Sequence, residues 1–387
     1  MEINVLDRRN TDCLKWDGLD DERVLPMWVA DMEFETLPEI IMALQKRAGH
    51  GAYGYSIEGK EYRKTVCGWM LRRFGWQINE EWIVQAPGNV AAAKMAIQTF
   101  TSPGDKILIQ EPVYYVFREA IEENKRVVVS SDLVDHGGHY MIDYEDFERT
   151  ITENNIKTFI LCNPHNPVGR VFTEQELKKL GAICAKHHVL VICDEVHSDF
   201  ILEGKHTPFV AAAPECAENS IVLTGPNKTF NLAGLKCANV IIKNEEMRGK
   251  YLDHLDACGM YSQNLFSYIA CETAYRYGDD YVESLCRVIK SNYCALKEFT
   301  EKEFPNVTVY PLEGTYLAWI DIKKLKIPDD KLHEFLTKEA GVYFDEGELF
   351  GEAGRGFIRI NIACAKTQII EAMERLKRAA VKNDYCV

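Results

Sequence analysis

A lysine that does covalent chemistry must spend part of its time uncharged, and Lys228 sits where that is achievable. It follows an aliphatic run, Ile221-Val222-Leu223-Thr224, and a turn, Gly225-Pro226-Asn227, and it precedes Thr229-Phe230. An ammonium partly stripped of water gives up its proton more easily and can form Schiff bases with carbonyl compounds. The string is not a phosphate loop of the GxxxxGK[ST] kind. Taken alone the lysine is a weak signal, because most lysines at strand ends are merely solvated.

Other reactive residue types cluster in the same way, each just after an apolar run. Asp194-Glu195-Val196-His197-Ser198-Asp199 follows Val189–Cys193. A carboxylate there would pair with a cation in a cleft. Two other readings stay open: a metal site built from Asp194, His197 and Asp199, or a surface loop. Asn163-Pro164-His165-Asn166-Pro167-Val168-Gly169 is a rigid loop that presents Asn166 as a placed amide donor, or is an ordinary turn. Pro87-Gly88-Asn89 opens a helix with free backbone N–H groups, a natural seat for phosphate. Gly347, Gly351, Gly354 and Gly356 lead into Phe357-Ile358-Arg359-Ile360-Asn361. A guanidinium in that apolar strand needs an anion, either a substrate carboxylate gripped by two prongs or a structural aspartate.

Elements must carry these groups to one place. Short aliphatic or β-branched runs at 106–110, 126–130, Thr158–Cys162, 189–193, 221–224 and 239–242 read as buried parallel strands. Helices are expected at Asn89–Phe100, 113–124, 144–153 and 174–187, the last with Thr173 and Glu176 at capping-box spacing. This alternation predicts an α/β fold with a mostly parallel central sheet, and ligands bind such sheets outside the carboxyl ends of the strands. Residues 279–304 read as a long amphipathic helix, 315–322 and 357–362 as strands, and the stretch from about Thr367 as a terminal helix. Two domains are expected: a large one over 48–275, and a smaller α+β one from 1–47 and 276–387, because termini usually lie close together.

Composition narrows the partners. A formal charge of −14 disfavours nucleic acid and anionic membranes. The 13 scattered cysteines, without a CxxC pair, read as reduced core thiols. No apolar run approaches a membrane span and the first residues carry no apolar leader, so a cytoplasmic protein is expected.

Asn166, Asp194, Lys228 and Arg359, in that order and in those loops, resemble the fold-type-I pyridoxal-phosphate (PLP) enzymes of the class I/II aminotransferase superfamily. Pro26-Met27-Trp28-Val29-Ala30-Asp31-Met32-Glu33-Phe34, Tyr53-Gly54-Tyr55, Pro112-Val113-Tyr114-Tyr115 and Gly314-Thr315-Tyr316-Leu317-Ala318-Trp319 bring the likeness closer to the MalY/PatB branch of carbon–sulfur β-lyases. That branch includes cystathionine β-lyases and cystalysin, and the likeness runs from about residue 12 to 380.

The resemblance implies PLP held covalently by Lys228, with Asp194 facing the ring nitrogen. Asn166 would donate to the phenolic oxygen, with His197 tuning it and Tyr114 stacked on the ring. The phosphate would lie on the amides of Gly88 and Asn89, assisted by Lys236. The family's phosphate-loop serines stand here as Gly225 and Asn227, so Thr224 or Asn227 would have to compensate. Tyr55 would act from a second subunit, which implies a homodimer with shared active sites. Arg359, with Tyr114 and Ala30, would hold the substrate, and Trp28, Tyr115, Tyr261 and Tyr316 are candidates to face its side chain. The implied reaction releases a thiol, pyruvate and ammonia from cystathionine, cysteine or a cysteine S-conjugate. An aminotransferase of the same fold is the alternative, followed by a PLP-fold regulator without chemistry.

Overall fold

Three strands of the computed structural model, Thr158–Cys162, Leu190–Asp194 and Ser220–Thr224, are buried at every position. Such strands need cover on both faces, which is what helical crossovers supply. The structure describes residues 1–260 and 262–385. A seven-stranded sheet runs in the order Ile83–Ala86, Ala238–Ile241, Ser220–Thr224, Leu190–Asp194, Thr158–Cys162, Lys106–Ile109, Val127–Ser130. Neighbours are parallel except around Ala238–Ile241, which is antiparallel to both strands beside it. The expected parallel strand at 239–242 is therefore reversed. A parallel return needs a crossover of a dozen or more residues, usually helical. The link from Thr224 to Ala238 holds turns and one short 3-10 segment, Ala233–Leu235, and no α-helix to make such a crossover.

Helices Asn89–Phe100, Tyr144–Asn154 and Glu174–Lys186 fall where the patterns place them, and Thr173 and Glu176 form the capping box. The helix expected from 113 begins only at Val116, because the Val113 amide donates to Phe350 O (3.0 Å) and draws the chain away. The strand Ile83–Ala86 was not expected. It is four residues long, wedged between a tight turn and Pro87.

A second sheet, antiparallel throughout, orders Thr308–Val309, Leu317–Asp321, Phe357–Asn361 and Asp345–Glu346. Beside it Leu25–Pro26 pairs in parallel with Val342–Tyr343, tying the first residues to the last third of the chain. The long helix Asp279–Glu303 packs against Lys366–Lys382. Trp319 stacks on Phe357, with centroids 4.9 Å apart, at the heart of this layer.

The register of the main sheet places the site. Cys162 pairs with Asp194, and Asp194 with Leu223, so three strands end level. Asn163 N donates to Asp194 O (3.0 Å) and Glu195 N to Leu223 O (2.9 Å). The loops carrying Asn166, Asp194 and Lys228 thus leave one edge together.

Candidate active site

At that edge a cavity of ≈ 440 Å³ is lined by Gly88, Asn89, Tyr114, Asp194, Asn227, Lys228 and Lys236, among others. The Lys228 amine donates to the carbonyl of Ala30 (2.7 Å), which also accepts from the Tyr316 hydroxyl (2.8 Å). Burial, helped by the charge of Arg359, pushes the Lys228 pKa down to about 8, against the pull of Asp31 and Asp194. A lysine in this state is in part a neutral nucleophile near neutral pH.

Asp194 closes its strand and is buried, with one backbone N–H donor, Val196 N at 3.2 Å. Burial raises its carboxyl to about 6, and the Lys228 charge only partly offsets this. A buried acid so poorly supplied with partners is poised for a cation brought by a ligand. Tyr114 lines the same space, and burial holds its phenol above the ordinary range.

The phosphate seat differs from expectation. Gly88 has φ +98°, a conformation that favours glycine, and there it caps the helix Asn89–Phe100. Its amide already donates to Ala86 O (2.8 Å), so Gly88 N–H is spent. Among the described residues the Asn89 carboxamide has no partner for either polar atom, although both are buried. Thr224 is buried at the strand end and does not line the cavity, so it cannot replace the missing serines. Gly225 explains one of those losses, since a Cβ there would lie 2.7 Å from Cys237 O. Asn227 does line the cavity, and because its oxygen accepts from Cys237 N (3.1 Å) its amide nitrogen is the end left to donate. The donors left are the side chains of Asn89 and Asn227, the first-turn amides and the exposed Lys236.

On the substrate side the Arg359 Nη1 donates to Asn166 Oδ1 (2.9 Å), which leaves the amide nitrogen of Asn166 as its donor. Arg359 Nη2 donates to Trp28 O (2.9 Å) and forms an ion pair with buried Asp345. Of the two readings of Arg359 from the sequence, the structure shows the aspartate partner, which stands beside the site. His197 is buried, 5.6 Å from the Tyr316 ring, and its Nδ1 has no partner among the described residues. Burial, then the charges of Lys228 and Arg359, keeps it neutral.

The metal alternative loses its third ligand, because Asp199 accepts from Thr229 (2.8 Å) and Arg73 (3.4 Å). Tyr55 is not gathered with the others. It is 98% exposed, on a stretch without regular structure that lines a different cleft. Tyr115 lies 5.7 Å from Phe350, and Tyr261 falls outside the described residues.

Sequence reasoning missed Asp345, whose only signal is a charge after Val342-Tyr343-Phe344. It also missed the brace beneath Ala30. Asn361 Nδ2 donates to Val29 O (2.7 Å), Asn231 Nδ2 to Met32 O (2.9 Å), and buried Lys15 pairs with Glu33 (2.6 Å).

An amine at one side of the cavity, an under-solvated carboxylate at another and an unpartnered carboxamide at a helix start fit a phosphorylated aromatic aldehyde with a basic ring nitrogen. Fold and site thus define an α/β enzyme class that anchors such a cofactor on lysine. The chain belongs to the aminotransferase class I and II family, whose model matches residues 23–376. Cystathionine beta-lyase PatB of Bacillus subtilis (strain 168) is 38% identical over 380 residues, 96% of this chain and 98% of that protein. Cystalysin from Treponema denticola, solved with pyridoxal 5'-phosphate, superposes with a TM-score of 0.94 at 37% identity, covering 99% of this chain and 100% of its own. The PLP-bound C-S lyase from Staphylococcus hominis gives 0.92 at 33% identity, over 98% of this chain and 97% of its own.

Proposed function

We propose that this chain is a PLP-dependent carbon–sulfur β-lyase acting on cystathionine, cysteine or cysteine S-conjugates. The observation that carries the reading is the Lys228 amine sharing one cavity with buried Asp194, with Arg359 beyond it. When bound, the cofactor supplies an electron sink for a carbanion at the substrate's α-carbon.

The chain's residues do the rest. Lys228 would anchor the cofactor, and its amine, held in place by the Ala30 carbonyl, would take the α-proton as general base. Asp194, ionised against the ring nitrogen, keeps that nitrogen protonated. Asn166 NH2 would donate to the ring's phenolic oxygen, with neutral His197 tuning it, and Tyr114 would cover the ring face, a contact worth about 0.5–1.5 kcal/mol beyond burial. Asn89, Asn227, the first-turn amides and Lys236 would hold the phosphate. Arg359 grips the α-carboxylate, which fixes the α C–H toward Lys228. The C–S bonding pair leaves with sulfur, the thiolate takes a proton, and the unsaturated amine left behind takes up water to give pyruvate and ammonia. Thiolate is a far better leaving group than hydroxide, hence the preference for sulfur.

The same reading makes the enzyme a cytoplasmic homodimer in which Tyr55 enters the partner's site. Residues 48–275 then form the cofactor-binding domain, and 1–47 with 276–387 the smaller one. Among the described residues no helix is long and apolar enough to cross a membrane.

Purified enzyme should release pyruvate from L-cystathionine, L-cysteine or an S-alkyl cysteine in step with thiol. Stoichiometric transfer of the amino group to a keto acid, with no pyruvate, would make it an aminotransferase.

A further inference from the structure

Arg359 reaches the substrate already occupied. Its strand lies against Asp345–Glu346 with Asp345 directly opposite Arg359, and both side chains are 3% exposed. A guanidinium offers a carboxylate two double-pronged edges: Nη1 with Nη2, and Nε with Nη2. Either edge uses a hydrogen of Nη2, and Nη2 has two. One goes to Trp28 O (2.9 Å), a backbone atom that cannot swing away, and the other to the Asp345 carboxylate. Nη1 donates to Asn166 (2.9 Å), while Nε is buried without a partner among the described residues. That orphan N–H marks an edge built to take one more acceptor.

We infer that Asp345 is a specificity-determining residue that occupies the Nη2 prong which any two-pronged grip on Arg359 needs, and must be displaced by the substrate's carboxylate. The inference rests on the reading of Arg359 as the carboxylate clamp. Two carboxylates on one buried guanidinium repel each other, so Asp345 sets a threshold for entry. A substrate whose side chain brings a further carboxylate meets that repulsion again, whereas a neutral or zwitterionic side chain does not. The substrates favoured are thus amino acids without a net negative side chain.

The test is calorimetric titration of the holoenzyme with propionate, an unreactive monocarboxylate, alongside steady-state kinetics with S-methyl-L-cysteine. Asp345→Asn should bind propionate on the order of 10-fold more tightly, one charge-assisted contact no longer having to be broken, and KM should fall while kcat holds. Asp345→Ser, which removes the charge with a smaller side chain, should move both constants the same way. Melting temperature should fall in both variants because a buried pair has lost one member. Lower stability with higher affinity is a combination that a supporting role for Asp345 cannot give. Propionate affinity that is equal or weaker in both variants overturns the inference. The titration needs no turnover, so the lyase reading can fail while this one stands. Normal pyruvate release with unchanged propionate affinity sinks this inference alone.

Discussion

Asp194 and Lys228 are both displaced from their ordinary protonation behaviour by burial, in directions that suit a cofactor with a cationic ring nitrogen and an aldehyde. The folded chain holds the Asp194 proton more tightly than the unfolded chain, whose carboxyl titrates near 3.8. The stability it contributes is therefore complete below that pH and lost as pH rises through about 6. At pH 8 the cofactor-free chain carries a penalty of about 3 kcal/mol from this group. Cofactor-free Asp194→Asn should accordingly melt above the parent at pH 8, and the gap should close by pH 4 in thermal scans. With cofactor the order reverses, because the parent gains a pairing the variant lacks. The amine gives a second prediction: the rate at which cofactor attaches to the free enzyme should rise with pH and level off above about 8, followed by absorbance. An inflection near the ordinary lysine value would mean the amine is solvated. Arg359→Lys loses the planar fork and should weaken substrate binding by about 1.5–3 kcal/mol, seen in kcat/KM. These groups were legible in the sequence because each follows an apolar run. Asp345 was not, since only tertiary pairing of two short strands puts it against Arg359.

At the scale of elements, the loop carrying Asn166 is pinned by its last residue. Arg170, 5% exposed, donates to Glu313 (2.9 Å), Glu176 (2.9 Å) and the Tyr140 carbonyl, joining the loop to the following helix and to the approach to Leu317–Asp321. Arg170→Met takes the cation from Glu176 and Glu313, which keep the Thr173 and Val171 amides (2.8 Å each), and should cost about 1.5–3 kcal/mol in denaturant unfolding, with a higher KM as Asn166 loosens. Thr173→Ala, three residues further on, removes the cap and one donor to Glu176 (2.8 Å) but leaves Arg170 on Glu313 and the Tyr140 carbonyl, and should cost about 1 kcal/mol with kinetics unchanged. Equal effects of the two substitutions on KM would mean that the loop is not held through Arg170. Strand–helix alternation and capping made most of this layer readable in advance. The reversal of Ala238–Ile241 was missed because an isolated run of four residues carries no direction in its sequence. The spent Gly88 amide was missed because a glycine before a helix is equally able to donate outward or back to Ala86.

For the whole molecule, the stretch from 51 to 59 has no regular structure and shows water three large apolar side chains: Tyr53 61%, Tyr55 98% and Ile57 89% exposed. An exposed cluster of this kind is costly unless another surface covers it. The proposed dimer would do so and would carry Tyr55 to the partner's cavity. Tyr55→Asp and Lys228→Ala chains, each inactive alone, should recover about a quarter of parental turnover when co-refolded at equal amounts, because half of the dimers then hold one complete site. No recovery would place Tyr55 outside the shared site. The account's central claim is the covalent attachment of a phosphorylated aldehyde to one amine, and borohydride reduction of the holoenzyme followed by peptide mass mapping addresses it directly. It predicts a pyridoxyl phosphate mass on the peptide containing Lys228, and none on Lys236. Label on any other lysine, or no label with the cofactor demonstrably bound, would contradict it.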